Sequence, residues 1–264
     1  MIKLENITCS YKEPIIEDIS LEIDKKKITF IVGVNGSGKS TLGHILAGIK
    51  EIDKGHIFID NEEINKKINI TKMREKVGIV FQDPTNQLLF NRVYDNINFS
   101  LENMKVPKEK RDNIIKKALK EVEMLDYIYS NPYNLSLGQK QKIVIASIIA
   151  VNPKYIIFDE STSMLDINGR KNIYNLINKL KRKGLGIIFI TNIMDELIYG
   201  DEVIIINNKK ITKYKKEELF NNLDILTKNN LDLSFILRLI KELKGKNKEI
   251  TNYSEEDILK VIME

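Results

Sequence analysis

Residues 33–41 read Gly33-Val34-Asn35-Gly36-Ser37-Gly38-Lys39-Ser40-Thr41, and no other stretch of the 264-residue chain restricts its fold as much. The apolar run Ile28-Thr29-Phe30-Ile31-Val32 precedes it and Leu42-Gly43-His44-Ile45-Leu46-Ala47 follows, so the order is strand, tight loop, helix. Anionic phosphates can lie against backbone N–H groups at a helix N-terminus only where no side chain blocks the approach, and Gly33, Gly36 and Gly38 leave that space open. Lys39 then supplies a mobile cation for the outer phosphates, and the Ser40 hydroxyl can hold Mg²⁺. The complete spacing with both flanks predicts a phosphate-binding loop in an α/β core.

Composition narrows the remaining choices. The chain is long enough for one sizeable core and a small appendage. Lys and Arg number 42 against 37 Asp and Glu, and this net charge of +5 is scattered rather than gathered into a basic stripe interleaved with aromatics. Such a pattern predicts a solvated face and no nucleic-acid partner. Cys9 stands alone, which excludes an internal disulfide and predicts a reducing compartment. No basic-then-apolar leader follows Met1, and the longest apolar stretch, residues 143–151, is too short to cross a bilayer. Any membrane role is therefore expected to come through a partner.

Taken in order, residues 1–10 and 15–23 alternate and carry β-branched side chains, which predicts strands of a small antiparallel sheet with Tyr11 in the turn between them. Tyr11 fits either stacking on a nucleotide base or capping the core. Residues 57–61 predict a strand running into a turn, 61–76 a polar surface stretch, and 77–81 a buried strand ending at Gln82-Asp83-Pro84. A Gln at a strand's C-terminal edge lies where ligands gather in open α/β sheets, so Gln82 is a candidate for coordinating Mg²⁺ or orienting water. From 86 to 133 the pattern is helical, with Val93, Ile97 and Leu101 on one face, Ile114, Ala118, Val122 and Leu125 on another, and Pro107 between them.

Leu135-Ser136-Leu137-Gly138-Gln139 introduces a further helix, which Ser136 caps. Ser136 and Gly138 also present a hydroxyl and bare N–H groups, a second surface suited to an anion. Tyr155-Ile156-Ile157-Phe158-Asp159-Glu160 predicts a buried strand ending in two carboxylates. Such a pair is costly to bury without a counter-charge, so Asp159 is read as holding Mg²⁺ through water and Glu160 as general base on the attacking water. A helix over 169–183, a strand over 187–190 ending at Thr191-Asn192, a strand over 202–206 with a turn at Asn207-Asn208, and a helical tail beyond Lys215 complete the pattern. In the tail Ile236, Leu239, Ile240 and Leu243 share a face, and 254–257 form a candidate capping box.

These motifs in this order resemble the nucleotide-binding subunit of an ATP-binding-cassette (ABC) transporter over residues 1–215. The segments Phe81-Gln82-Asp83-Pro84-Thr85-Asn86-Gln87 and Asp159-Glu160-Ser161-Thr162-Ser163-Met164-Leu165-Asp166 resemble the energy-coupling-factor (ECF) type. The resemblance implies a P-loop NTPase core with a small antiparallel β subdomain, a helical signature subdomain at about 86–150, and a helical C-terminal extension over 216–264. It further implies ATP and Mg²⁺ as cofactors, with Tyr11, the loop residues 33–41, Ser136, Gly138 and Gln139 binding nucleotide, and Ser40, Gln82 and Asp159 binding metal. The catalytic set would be Glu160, Gln82 and Asn192. The implied partners are a second, paralogous ATPase, a membrane scaffold and a substrate-binding membrane subunit, on the cytoplasmic face of the membrane, with a vitamin or metal ion as cargo. Two such domains would close head to tail, the phosphate-binding loop of one and the signature of the other sandwiching ATP. The tail is read either as packing or as a dimerisation element. A soluble ABC-type ATPase, or a weakly hydrolysing clamp on a non-transport partner, is the alternative.

Two positions depart from the family pattern. Leu137 stands where Gly is usual in the signature, with Ser136 and Gly138 kept. Asn192 stands where the family places His after Thr, and Asn can donate a hydrogen bond but cannot become cationic or shuttle a proton near neutral pH.

Overall fold

The computed structural model describes residues 1–64, 70–246, 250 and 253–263. The chain opens with β1 (Ile2–Ser10), β2 (Pro14–Ile23), β3 (Ile28–Gly33), α1 (Lys39–Leu46), β4 (Lys54–Ile59) and β5 (Glu62–Glu63). Then come α2 (Ile70–Lys76), β6 (Val77–Val80), α3 (Val93–Asn103), α4 (Lys108–Glu121), α5 (Leu137–Ala150), β7 (Tyr155–Asp159) and α6 (Ile167–Arg182). It closes with β8 (Gly186–Ile190), β9 (Glu202–Asn207), β10 (Lys210–Lys215), α7 (Lys216–Asn221), α8 (Asp224–Lys228), α9 (Phe235–Gly245) and α10 (Glu255–Met263). The chain divides into two compact units, the first made of Met1–Gly43, Glu51–Glu63 and Ile188–Glu264, the second of His44–Lys50 and Ile64–Ile187.

In the first unit, β2-β1-β4-β5 form an antiparallel sheet in that order. The alternation read in β1 is its burial pattern: Ile2, Leu4, Ile7 and Cys9 are buried. Between Glu5 and Thr8 the β1–β4 register slips, and Asn6 takes φ 50 at the bulge. β3 pairs in parallel with β9, from Thr29 opposite Glu202 to Gly33 opposite Ile206, and β9 pairs antiparallel with β10. β3 is buried along its whole length and β9 up to Ile206, which is why both read as unbroken apolar runs. β10 is absent from the sequence expectation, because Lys210-Ile211-Thr212-Lys213-Tyr214-Lys215 reads as polar chain. It is an exposed edge strand, where lysines suit the unpaired side, reached through Asn208 and Lys209 at φ 47 and 61.

The helical tail also differs from its expected face. Leu237 and Ile240 are the buried residues of α9, with Ile236, Leu239 and Leu243 half-buried. The Asp257 N–H donates to Ser254 Oγ at 3.1 Å, which caps the start of α10. Residues 247–249, 251–252 and 264 of the expected extension lie outside the described residues.

In the second unit, β6 and β7 pair in parallel, Val77 opposite Tyr155 through Val80 opposite Phe158. β6 stops at Val80, one residue short of its expected end. α3 and α4 pack on α5, and Val93, Ile97 and Leu101 are buried as their spacing predicts. On α4 the buried face is Ile115, Ala118, Leu119 and Val122. Ile114 is half-buried, and Leu125 is exposed because the helix stops at Glu121 and Glu123 takes φ 59, carrying Leu125 off that face.

The stretch expected as polar surface instead carries β5, a buried Ile64 and α2, whose Met73 packs against Gly48. Residues 65–69 of that stretch lie outside the described residues. α6 starts at Ile167, earlier than expected, because the Asp166 side chain accepts the Gly169 N–H at 2.6 Å as its N-cap. Among the described residues no helix is long and apolar enough to cross a membrane.

The bulge in β1 makes its own prediction. Gly55 faces it with φ 94, and a Cβ there would lie 2.5 Å from the carbonyl oxygens of both Glu5 and Asn6. Gly55→Ala is expected to cost about 2–4 kcal/mol in urea or thermal unfolding. Gly245→Ala, where a Cβ meets nothing within 4 Å, is the matched control and should stay within about 1 kcal/mol.

Candidate nucleotide-binding site

In the first unit, β3 delivers the chain into the phosphate-binding loop at Gly33. A Cβ on Gly33 would stand 2.4 Å from the Ile206 carbonyl oxygen and 2.5 Å from Ser37 Oγ, so only glycine passes between β9 and the returning loop. The Ser37 N–H donates to the Val34 carbonyl at 3.1 Å, and Gly36 and Gly38 take φ 78 and 101. α1 begins at Lys39, and the Leu42 N–H donates to the Gly38 carbonyl at 2.9 Å. Asn35 and Gly36 are exposed at the tip, with Val34, Ser37, Ser40 and Thr41 half-buried around it. The Lys39 ammonium folds over the loop and donates to the carbonyls of Gly33 at 2.8 Å and Val34 at 3.1 Å.

The same unit carries the strand end Thr191-Asn192. The Thr191 N–H donates to the Ile31 carbonyl at 3.2 Å, which places this strand end beside β3 shortly before the loop. Thr191 Oγ1 donates to the buried Glu196 Oε2 at 2.6 Å and accepts the Ile193 N–H at 2.9 Å, so the backbone on either side of the exposed Asn192 is fixed. Tyr11 is 61% exposed in the β1–β2 turn, which removes the core-capping role and leaves the ring accessible.

The second unit holds the acidic strand end. β7 is buried throughout; Asp159 ends it, 8% exposed, and Glu160 follows with φ 49. A left-handed non-glycine residue at a strand end stores strain of about 1 kcal/mol, and here it turns the Glu160 side chain out of the strand direction. Ser163 closes that turn: its hydroxyl donates to the Glu160 carbonyl at 2.7 Å and accepts from the Gln82 side-chain amide at 3.3 Å. The Gln82 side-chain N–H₂ is thus engaged within the protein, and its carbonyl oxygen is the candidate cation ligand. His44 Nε2 lies 3.8 Å from Asp159 Oδ2, its ring edge-on to Phe81. Sequence reasoning assigned no role to Ser163, His44 or Glu196, since each acts through a partner distant in the chain or hidden by burial.

Also in this unit, α5 starts at the signature. Ser136 Oγ accepts the Gln139 N–H at 3.3 Å and Gln139 Oε1 accepts the Ser136 N–H at 2.9 Å, a reciprocal capping box. Leu137 is the first residue of the helix and keeps a negative φ, so its backbone makes no demand for glycine. A Cβ on Gly138 would meet only Leu165 at 3.9 Å. Beside this helix N-terminus a cleft of about 620 Å³ is lined by Ser136, Gly138, Gln139, Met164, Leu165 and Asp166.

These residues fit a magnesium nucleotide. Gly36 has no heavy atom within 4 Å of a Cβ position, so the loop tip is a bare cradle of N–H groups. Each candidate metal donor, the Ser40 hydroxyl in the first unit and the Gln82 amide carbonyl and Asp159 carboxylate in the second, is by itself a hard oxygen of the kind Mg²⁺ takes. Among the described residues no group of three or more His, Cys, Asp or Glu could hold a metal ion.

Comparison with known proteins agrees with this geometry. Residues 16–163 match the ABC transporter family. The chain is 42% identical over 242 residues to the energy-coupling factor transporter ATP-binding protein EcfA1 of Staphylococcus saprophyticus, covering 90% of each chain. It is 38% identical over 255 residues to EcfA1 of Mycoplasmoides gallisepticum, covering 96% of this chain and 91% of that one. Among solved structures, cbiO1 from Clostridium perfringens, part of the ABC transporter complex cbiONQ, superposes with a TM-score of 0.79 at 32% identity, covering 91% of this chain and 98% of that one. A dimeric ATP-binding cassette in a post-hydrolysis state with ADP and Pi superposes with a TM-score of 0.71 at 27% identity, covering 82% of this chain and 99% of that one.

The loop geometry predicts that Gly33→Ala, by driving Ile206 and Ser37 apart, weakens MgATP binding by about tenfold or more, as loss of one or two charge-assisted N–H contacts would. Titration calorimetry with MgATP on the folded variant checks this; unchanged affinity would show that the loop tolerates the displacement.

Proposed function

The chain belongs to the ABC transporter family and, within it, to the energy-coupling factor transporter ATP-binding proteins, and from that premise we propose how its residues share the work. It is an ATP-binding subunit of an ECF-type importer and an ATPase. On our reading the nucleotide-binding cassette spans residues 1–215, with a helical part at about 86–150 and the extension at 216–264.

The observation that carries the proposed mechanism is that one chain offers two glycine-bearing helix N-termini, α1 behind Gly33–Lys39 in the first unit and α5 behind Ser136–Gly138 in the second. A single bound ATP needs one of each, so the chain works paired head to tail with a second ATPase, each contributing a loop to one nucleotide and a signature to the other. Residues 33–41 bind the phosphates, with Lys39 exchanging its loop carbonyls for the outer phosphates, and Tyr11 stacks on the base. Ser136, Gly138 and Gln139 meet the partner's nucleotide. Ser40 and Gln82, with Asp159 through water, would hold Mg²⁺, which would supply counter-charge to the phosphates. Glu160 is the general base that takes a proton from the attacking water, Gln82 orients that water, and Asn192 donates a hydrogen bond toward the terminal phosphate.

Asn192 in place of His leaves the site on this chain's own loop without a residue that can shuttle a proton, which favours a paralogous partner that supplies the His and two sites of unequal rate. It also keeps alive a second reading, a nucleotide clamp with little hydrolysis. The membrane partners are a scaffold and a substrate-binding subunit, the cargo being a vitamin or metal ion, and the chain sits peripherally on the cytoplasmic face. Support for docking near Gln82 comes from Leu89, Phe90 and Phe99, which are 63%, 37% and 37% exposed and form an apolar surface unlike an isolated exposed residue.

Glu160→Gln is expected to lower single-turnover hydrolysis by about 10²–10⁴-fold with MgATP affinity unchanged, while Asn192→His raises turnover. Equal residual rates in wild type and Glu160→Gln would favour the clamp. The tagged chain purified from its native membranes in mild detergent should bring a second ATPase and a multi-spanning membrane protein; recovery alone, or with ribosomes, would remove the transport assignment.

A further inference from the structure

The segment Met194–Tyr199, a short helical turn that begins two residues after Asn192, is held from both sides. Toward the core, Glu196 is 2% exposed and accepts the Thr191 hydroxyl, and the Glu196 N–H donates to the Ile193 carbonyl at 3.1 Å. Away from it, the segment is tied to the tail. α9 lacks its own side-chain cap: Ser234 sits at the N-cap position with its buried Oγ making no hydrogen bond. The Asp195 carboxylate takes that place, accepting the Ile236 N–H at 3.2 Å, where a helix N-terminus favours negative charge. The Tyr199 hydroxyl donates to Glu255 of α10. Met194, Leu197 and Ile198 are buried in the segment, as are Leu237 and Ile240 in α9, which packs on it.

All of these residues belong to the first unit. Burial, the bond to Glu255, and the nearby charges of Glu196 and Asp195 together push the Tyr199 hydroxyl well above the usual tyrosine range, so it remains a donor. The carboxylates that act on it come from the segment itself and from α10.

We propose that the helical C-terminal extension is a positioning element for the ATP site: through Asp195 and Tyr199 it fixes the segment whose Glu196 holds Thr191, and so sets where Asn192 points. Asp195, Glu196 and Tyr199 are positioning residues that touch no nucleotide. The inference rests on the reading of Asn192 as a contact to the terminal phosphate, and it gives the extension a part in catalysis within its own chain. A change at α9 or α10, such as engagement of another subunit, would then be felt at the strand end through two side-chain contacts.

The test is the double substitution Asp195→Ala/Tyr199→Phe in the assembled transporter, with ATPase rates normalised to bound nucleotide. The expected result is a kcat about three- to tenfold lower with KM for MgATP unchanged, and faster amide hydrogen exchange across residues 191–199. In an Asn192→Ala background the same double substitution should change kcat by less than about twofold, since its effect passes through that side chain. Glu255→Gln, which keeps an acceptor for the Tyr199 hydroxyl, should restore most of the rate lost in Glu255→Ala. Unchanged kcat and exchange in the double variant overturn the proposal, as does an equal loss in the Asn192→Ala background, which marks a general structural defect. If Asn192→Ala alone leaves kcat intact, the Asn192 reading fails, and the exchange data still decide whether the extension holds the segment. Tyr199→Phe alone carries the same test where the double variant does not fold.

Discussion

Everything in the first unit is subordinate to a close approach, that of a polyanion to unshielded backbone N–H groups. The approach works only if the loop is bare and does not move. Bareness comes from Gly33, Gly36 and Gly38, and the space at Gly33 is set by β9, whose Ile206 carbonyl leaves no room for a Cβ. Rigidity comes from β3, which is fully buried and paired along its length with β9. Each large apolar side chain in that pair contributes about 1.5–3 kcal/mol on burial, far more than the loop could gain from its own turn contacts. The apolar runs are therefore the anchorage that lets a glycine-rich loop keep one conformation.

This dependence explains what could be read from sequence. Strands buried on both faces announce themselves as unbroken Ile, Val and Phe runs, and β3, β7, β8 and β9 fall where such runs lie. The phosphate-binding loop is local in sequence, so its strand–loop–helix context was visible too. β10 was not, because an exposed edge strand has no apolar face to display, and α2 was not, because its burial rests on the single side chain Met73 against Gly48. The α4 face was read with Ile114 and Leu125 for the same kind of reason. Two adjacent isoleucines leave the phase open, and the left-handed turn at Glu123 follows from no periodicity.

The site shows the same division. The candidate residues stand out by their place, Lys39 at the start of α1 and Asp159, Glu160 and Gln82 at strand ends. Residues that orient them do not. Ser163 joins Gln82 to the Glu160 carbonyl across 81 positions of sequence, and Glu196 secures Thr191 only because both are buried. A serine or glutamate of this kind looks like any surface residue until its partner is known.

The two departures from the family pattern show why a substitution has to be judged by what its position asks of the residue. At Leu137 the position asks for a helical backbone at N1, and any residue with negative φ can meet that demand. The groups proposed to face the anion belong to Ser136 and Gly138, and the capping box of Ser136 with Gln139 is intact, so Leu137 alters bulk and leaves the helix N-terminus in place. At Asn192 the backbone is equally well met, pinned on both sides by the Thr191 hydroxyl and its carboxylate partner. What differs there is the side chain's proton chemistry. An amide can donate a hydrogen bond to a phosphate but cannot shuttle a proton near neutral pH, so the proposed role of Asn192 is one of positioning. On the reading proposed above, the chain keeps its loop and signature and lacks the proton chemistry of His at Asn192, which is what the proposal of an unequal pair asks of it.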